Sequence, residues 1–138
     1  MSQKNMPQNK NELDECYSAI AELVTREIPE QYSQLWYLHR IDGDSIAMMI
    51  YYQVPSDKKH VFPLVPSVPL MDELVETFDK LRELSKGTPW TIATFQMDQE
   101  GDFTMEYSYE DLTDVPIGKM NEDWRRKYLG ELKIKARN

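Results

Sequence analysis

Cysteine is almost absent from this sequence. Its single cysteine, Cys16, excludes an internal disulfide framework and any zinc or iron–sulfur site built from several thiolates. Histidine is nearly as scarce, with only His39 and His60. Neither stands in a pattern that pairs it with a nucleophile, as a triad or Cys/His arrangement requires. The five glycines are too few for a Gly-rich phosphate cradle, and there is no P-loop, dinucleotide fingerprint or zinc-hydrolase helix motif. These absences predict a chain that needs no cofactor and no metal. No apolar run reaches the roughly 18 residues of a transmembrane helix. Met1 to Asn11 lacks the apolar stretch of a secretion signal. The expectation is a protein of the reducing cytoplasm, with no membrane partner. Basic residues are also in deficit: 16 Lys and Arg against 24 Asp and Glu leave a net charge of −8. Direct nucleic-acid binding is disfavoured, because phosphate contacts need a net basic surface.

What is present suffices for one domain. The chain has 138 residues, the size of an ordinary single domain. Residues 1–10 are polar and aperiodic and read as a disordered tail, leaving residues 11–138 as the domain. From Asn11, a candidate cap, Leu13, Cys16, Tyr17, Ile20, Leu23, Val24 and Ile28 recur at helical spacing, and Pro29 stops the pattern. Tyr32–Ile41 and Ser45–Val54 are apolar, aromatic-rich runs around Asp42-Gly43-Asp44 and read as an antiparallel hairpin. In the second run Ile46, Met48, Ile50, Tyr52 and Val54 face one way and Ala47, Met49 and Tyr51 the other. A strand apolar on both faces is central or meets a partner. Val61–Val65 suits a short edge strand, because Pro63 and Pro66 confine it there.

A second helix spans about Pro69 to Lys86, capped by Ser67 and closed at Lys86-Gly87. A second hairpin joins Trp90–Met97 to Asp102–Tyr109 around Gly101. Alternation assigns Phe103, Met105 and Tyr107 to a buried face and Thr104 and Glu106 to an exposed one. A third helix is expected at 121–132, with Asn121 as cap and Trp124 pinning it to the sheet. A basic tail of Lys133, Lys135 and Arg137 follows. The order is α-β-β-(β)-α-β-β-α, which argues for an α+β fold: a mostly antiparallel sheet of four to five strands with helices packed on it.

Charge is segregated. The 32 residues between Lys86 and Lys119 contain no Lys or Arg and seven acids. Asp98, Glu100, Asp102, Glu106, Glu110, Asp111 and Asp114, together with Tyr109, form the candidate partner-binding set. Such a stretch is either an ordinary solvated surface or a negative patch that docks a basic partner and speeds its association. Cys16 and the two histidines read as structural or solvent-exposed. Paired carboxylates leave a hydrolase conceivable, but an acidic surface accounts for them with less machinery. An adaptor or regulatory module acting on another basic partner is the other binding-protein alternative.

The stretch PWTIATFQMDQEGDFTMEYSYED, then a proline and WRRKYLG, resembles the YezG and EsaG type of bacterial immunity proteins. The matching positions are Trp90, Thr91, Phe95, Gly101, Phe103, Tyr109-Glu110-Asp111, Pro116, Trp124 and Lys127-Tyr128-Leu129-Gly130. An opening helix running into Ile28-Pro29-Glu30 and tyrosine-rich strands extend the likeness over about residues 11–131. The connector Pro55–Pro69 is richer in proline than the family pattern. The resemblance implies a non-enzymatic antitoxin. Its partner would be the toxic C-terminal domain of an LXG-type secreted toxin, often a nuclease, held inactive until export by a type VII secretion system.

Overall fold

The computed structural model describes residues 6–85, 87 and 89–136, with side chains from Lys10 onward. Its elements are α1 (Met6–Thr25), β1 (Gln34–Asp42), β2 (Ser45–Gln53), β3 (His60–Leu64), α2 (Val68–Leu84), β4 (Ile92–Asp98), β5 (Phe103–Ser108), α3 (Ile117–Tyr128) and β6 (Lys133–Ile134). The strands form one sheet in the order β5-β4-β1-β2-β3-β6. Four of its five pairings are antiparallel and one, β3 with β6, is parallel. The α+β class holds. The strand count rises to six because the two-residue β6 lies in the basic tail, where no alternation announces it.

Both hairpins form as their turn residues demand. β1 and β2 are joined by Gly43 and Asp44, with Asp42 paired to Ser45. Gly43 has φ 62°, and a two-residue hairpin loop needs a left-handed residue at its first position when it matches the strand twist. Pro63 opposes Tyr51 across β2, while β6 reaches only as far as Val61. The proline nitrogen, which cannot donate, therefore faces an open flank rather than a ladder.

Alternation sorts the strands between two cores. On the first face, Leu35, Tyr37, Ile50, Tyr52, Val54, Phe62, Ala93, Phe95 and Met97 pack under Cys16, Ile20, Leu23 and Val24 of α1 and Leu70, Leu74, Phe78 and Leu81 of α2. On the second face, Trp36, Leu38, Tyr51 and Val61 meet Trp124 and Leu129, with Met49, Ile92, Tyr128 and Leu132 at the margin. Each strand residue falls on the face that a period of two assigns it. The helix pair is tied at its solvent side by Arg26, which bridges Glu22 of α1 and Glu73 of α2.

Several boundaries shift. α1 begins at Met6, upstream of Asn11, so Asn11 lies inside the helix rather than capping it. Pro7 falls in the first turn, where a missing N–H has no helical partner to lose. Residues 1–5 of the expected tail, and the Lys86 and Arg137 positions, lie outside the described residues. α2 is capped as expected, with Ser67 Oγ accepting from the Leu70 N–H at 3.3 Å. Glu27 receives the Ser67 N–H at 2.9 Å and its hydroxyl, which holds the Glu27 carboxyl below its ordinary pKa.

α3 runs from Ile117 to Tyr128, one turn earlier than the expected 121–132, with Pro116 at its cap. Asn121 is therefore in the helix body, where its Oδ1 accepts from Arg40 Nη1 at 3.0 Å. Phe103, expected in the core, is 41% exposed. β5 is an edge strand of the sheet, and the Phe103 ring meets the rings of Tyr17 of α1 and Phe95 of β4, with centroids 5.6 and 5.2 Å away.

Candidate partner-binding surface

The acidic set divides in two around β5. Asp98 closes the β4–β5 turn: its Oδ1 accepts the N–H groups of Glu100 at 2.9 Å and Asp102 at 3.1 Å. Glu100 and Asp102 project from that turn and are exposed. At the far end, Asp111 Oδ1 accepts the Thr113 N–H at 2.9 Å, and that bond holds its carboxyl below the ordinary range. Glu110 and Asp114 stand exposed beside it. Asp114 adopts φ 67°, a left-handed conformation that aspartate tolerates better than most residues. A six-residue strand separates the groups, which puts them roughly 20 Å apart at about 3.3 Å per residue.

Glu106, midway between the groups, belongs to neither. It lies on the second face, where Tyr128 Oη donates to Oε1 at 2.7 Å and Lys127 Nζ lies 3.9 Å away. Burial and that hydrogen bond raise the Tyr128 pKa. Tyr109 is 54% exposed and extends the first-face side of β5 toward the second acidic group. The structure thus brings Asp98, Glu100 and Asp102 together, and Glu110, Asp111 and Asp114 together, but not all seven acids into one patch.

Charge and periodicity did not point to a second feature, the uncovered half of the second sheet face. α3 covers only its middle. Trp124 Nε1 donates to Thr94 Oγ1 at 2.9 Å, and the Trp124 ring stacks on Tyr51 at 5.4 Å. Beyond it the sheet carries Gln34, Gln53 and Gln96 around Trp36, in a cleft of about 720 Å³ walled by Lys58, Asp98 and Glu100. Gln96 Nε2 donates weakly to Gln34 Oε1 at 3.3 Å. Trp36 Nε1 is buried at the cleft floor with no partner among the described residues. The signal was present in register: Asp98–Gln34–Gln53 and Thr104–Gln96–Trp36–Tyr51 form adjacent rows. Reading it required the strand order.

The scarce reactive residues are spent on structure. His39 is fully buried, its Nδ1 2.8 Å from Tyr37 Oη and its ring stacked on Phe78 at 4.3 Å. Burial, with Arg82 adding to it, lowers its pKa to about 3, so the ring is neutral near neutrality. His60, the first residue of β3, pairs with Asp57 of the preceding turn at 3.0 Å. Cys16 is packed in the first core, and burial raises its pKa. Among the described residues no three His, Cys, Asp or Glu side chains converge as a metal site. No described helix is long and apolar enough to cross a membrane.

These features define a class: an α+β domain with helices on both sheet faces, whose distinctive surface is an outer strand bracketed by two acidic groups beside a half-open sheet face. Comparison with known proteins narrows the class. The pattern of the family described as "Immunity protein YezG-like" matches residues 13–64 and 67–137, and the chain belongs to that family. Within that span the proline-rich connector loses only Val65 and Pro66. The chain is 28% identical over 135 positions to immunity protein YezG of Bacillus spizizenii, covering 86% of this chain and 83% of that one. Immunity protein YezG of Bacillus subtilis is 23% identical, with coverage of 87% and 89%. The type VII secretion system protein EsaG of Staphylococcus aureus is 25% identical over 132 positions, with coverage of 86% and 81%.

Proposed function

We propose that this chain is the immunity partner of an LXG-type secreted toxin, and that it binds and neutralises the toxin's C-terminal domain by stoichiometric occlusion in the cytoplasm of the producing cell. Membership of the YezG-like family carries this reading. The acidic groups at the two ends of β5 support a basic partner surface, and a nuclease has one because its substrate is a polyanion. The chain's own chemistry is binding, with no catalytic step assigned to it. Glu100, Asp102, Glu110 and Asp114 carry the charge available to a partner. Asp98 and Asp111 hold turns, and Glu106 is committed to Tyr128.

The test is co-expression with the cognate LXG-type toxin, scored by survival and by co-purification. Survival with a stable one-to-one complex is expected. Death of the cells and no complex would refute the immunity reading for that pair. Replacing Glu100, Asp102, Glu110 and Asp114 together with Lys should slow association, and added salt should slow the wild type, since exposed charges are screened beyond about 8 Å at physiological ionic strength. The control is the same change at Asp72 and Glu76, exposed acids on α2. Glu73 is unsuitable as a control because it pairs with Arg26.

A further inference from the structure

We propose that the outer edge of β5 accepts a strand from the partner, extending the six-stranded sheet by one; the identity of that partner as a basic toxin domain rests on the reading above. The first observation is the ladder. The Asp98 N–H donates to the Asp102 carbonyl at 3.0 Å, which marks 98 and 102 as a bonded antiparallel pair. Bonded and non-bonded pairs alternate, so Gln96–Thr104, Thr94–Glu106 and Ile92–Ser108 are the bonded pairs of the β4–β5 register. Phe103, Met105 and Tyr107 therefore turn their N–H and C=O groups away from β4. Among the described residues nothing bonds to those groups.

Exposed edges are normally blunted by lysine, proline, a bulge or very short length. The strand FTMEYS has neither lysine nor proline, is six residues long and pairs with β4 in unbroken register from Phe103 to Ser108; the glycine bulge at Gly101–Asp102 opposite Asp98 lies in the turn before it. Its one charge, Glu106, is drawn across the second face toward Tyr128 and Lys127. Phe103 and Tyr109, 41% and 54% exposed, offer first-face aromatic surface at the two ends of the edge. Alternate side chains of an added strand would rest there.

The second observation is charge. The two acidic groups bracket this edge, Glu100 and Asp102 before it and Glu110 and Asp114 after it. A second copy pairing antiparallel about a two-fold axis would set the turn acids of each chain beside the 110–114 acids of the other, and like charges across a strand pair are destabilising. A strand with Lys or Arg at both ends has the complementary arrangement. The occupant is thus a basic β-strand of the partner rather than another copy of this chain.

Amide hydrogen exchange by NMR tests this on the wild-type chain, free and bound to the C-terminal domain of its cognate LXG-type toxin. Gained protection at Phe103, Met105 and Tyr107, with Thr104, Glu106 and Ser108 little changed, is the expected result. A complex in which those three amides stay unprotected overturns the edge proposal and leaves the immunity reading standing. Protection of the three amides in the free chain at high concentration would make a second copy the occupant and also overturn it. Failure of the wild type to form any complex removes the toxin reading, and this occupant with it. Met105→Pro and Met105→Ala provide a second check. Both truncate the side chain, but only proline removes the outward N–H, and no bond to β4 is lost. With equal melting temperatures, Met105→Pro should bind at least about tenfold more weakly than Met105→Ala, the effect of losing a backbone hydrogen bond and its register. Equal affinities would overturn the proposal.

Discussion

The two faces of the sheet are covered to very different extents. On the first face, two amphipathic helices lie over the strands and bury a continuous apolar layer from Leu35 to Met97. On the second, one twelve-residue helix covers the middle and leaves a glutamine-lined cleft beside it. Helix α1 alone contributes four buried apolar side chains to the first core, whereas α3 buries Met120 and Trp124. The difference shows how a small domain divides its work. One face supplies the apolar burial that drives folding. The other carries a smaller apolar core under α3 and stays polar and open beside it.

If that division is right, substitutions should have unequal effects. The largest loss is expected at Phe78 on the first face, fully buried among Tyr37, His39 and Trp90. Phe78→Ala should cost about 3–5 kcal/mol by denaturant unfolding. A loss below about 2 kcal/mol would mean that the first face is not the dominant core.

A first-face effect should also appear with acid. His39 is neutral in the folded chain because burial depresses its pKa from 6.5 to about 3. The unfolded chain therefore binds a proton that the folded chain refuses. Stability is retained above about pH 6.5 and lost as pH falls toward 3, by about 1.4 kcal/mol per unit from this group. Denaturant titrations at pH 7 and 4.5 should show His39→Gln with the shallower pH dependence, by about 2–3 kcal/mol across that range. Identical slopes would contradict a buried neutral histidine.

On the second face, Trp124→Phe keeps an aromatic ring on Tyr51 but deprives the buried Thr94 hydroxyl of its donor. A cost of about 1–3 kcal/mol is expected. Phe103→Ala should come next, at about 1–2 kcal/mol, because 41% of that residue already meets solvent and the transfer contribution scales with the area buried. Smallest is Lys127→Ala, which removes an exposed 3.9 Å contact to Glu106. Exposed pairs are worth about 0–1 kcal/mol. A melting shift at Lys127 comparable with that at Trp124 would show that charge, rather than packing, holds α3 in place.

Much of this architecture could be read along the chain, for local reasons. The period of two in Ile46–Val54 assigns Ile50 and Tyr52 to one core and Tyr51 to the other. The four-residue recurrence from Leu13 to Val24 marks the buried stripe of α1, and Ser67 caps α2 as its position suggests. Each of these depends on near neighbours and the geometry of one element. The misreadings have a shared cause as well. Asn121 looks like a cap because its residue type favours that role, but Pro116 permits an earlier start and Arg40 of β1 occupies its side chain. Phe103 looked buried because alternation names a face without saying whether anything covers it.

The candidate surface divides along the same line. The sequence by itself determined that residues 87–118 carry seven acids and no base, and that β5 has an apolar and a polar face. Only the tertiary structure decided that β5 is outermost, that its acids form two groups around an open edge, and that Asp98, Gln34 and Gln53 share a row beside Trp36. Strand order and edge exposure arise from pairings between residues far apart in the chain, such as Trp36 with Gln96. Hydrophobic periodicity fixes which face a residue shows. It carries no information about which strand, helix or solvent that face will meet.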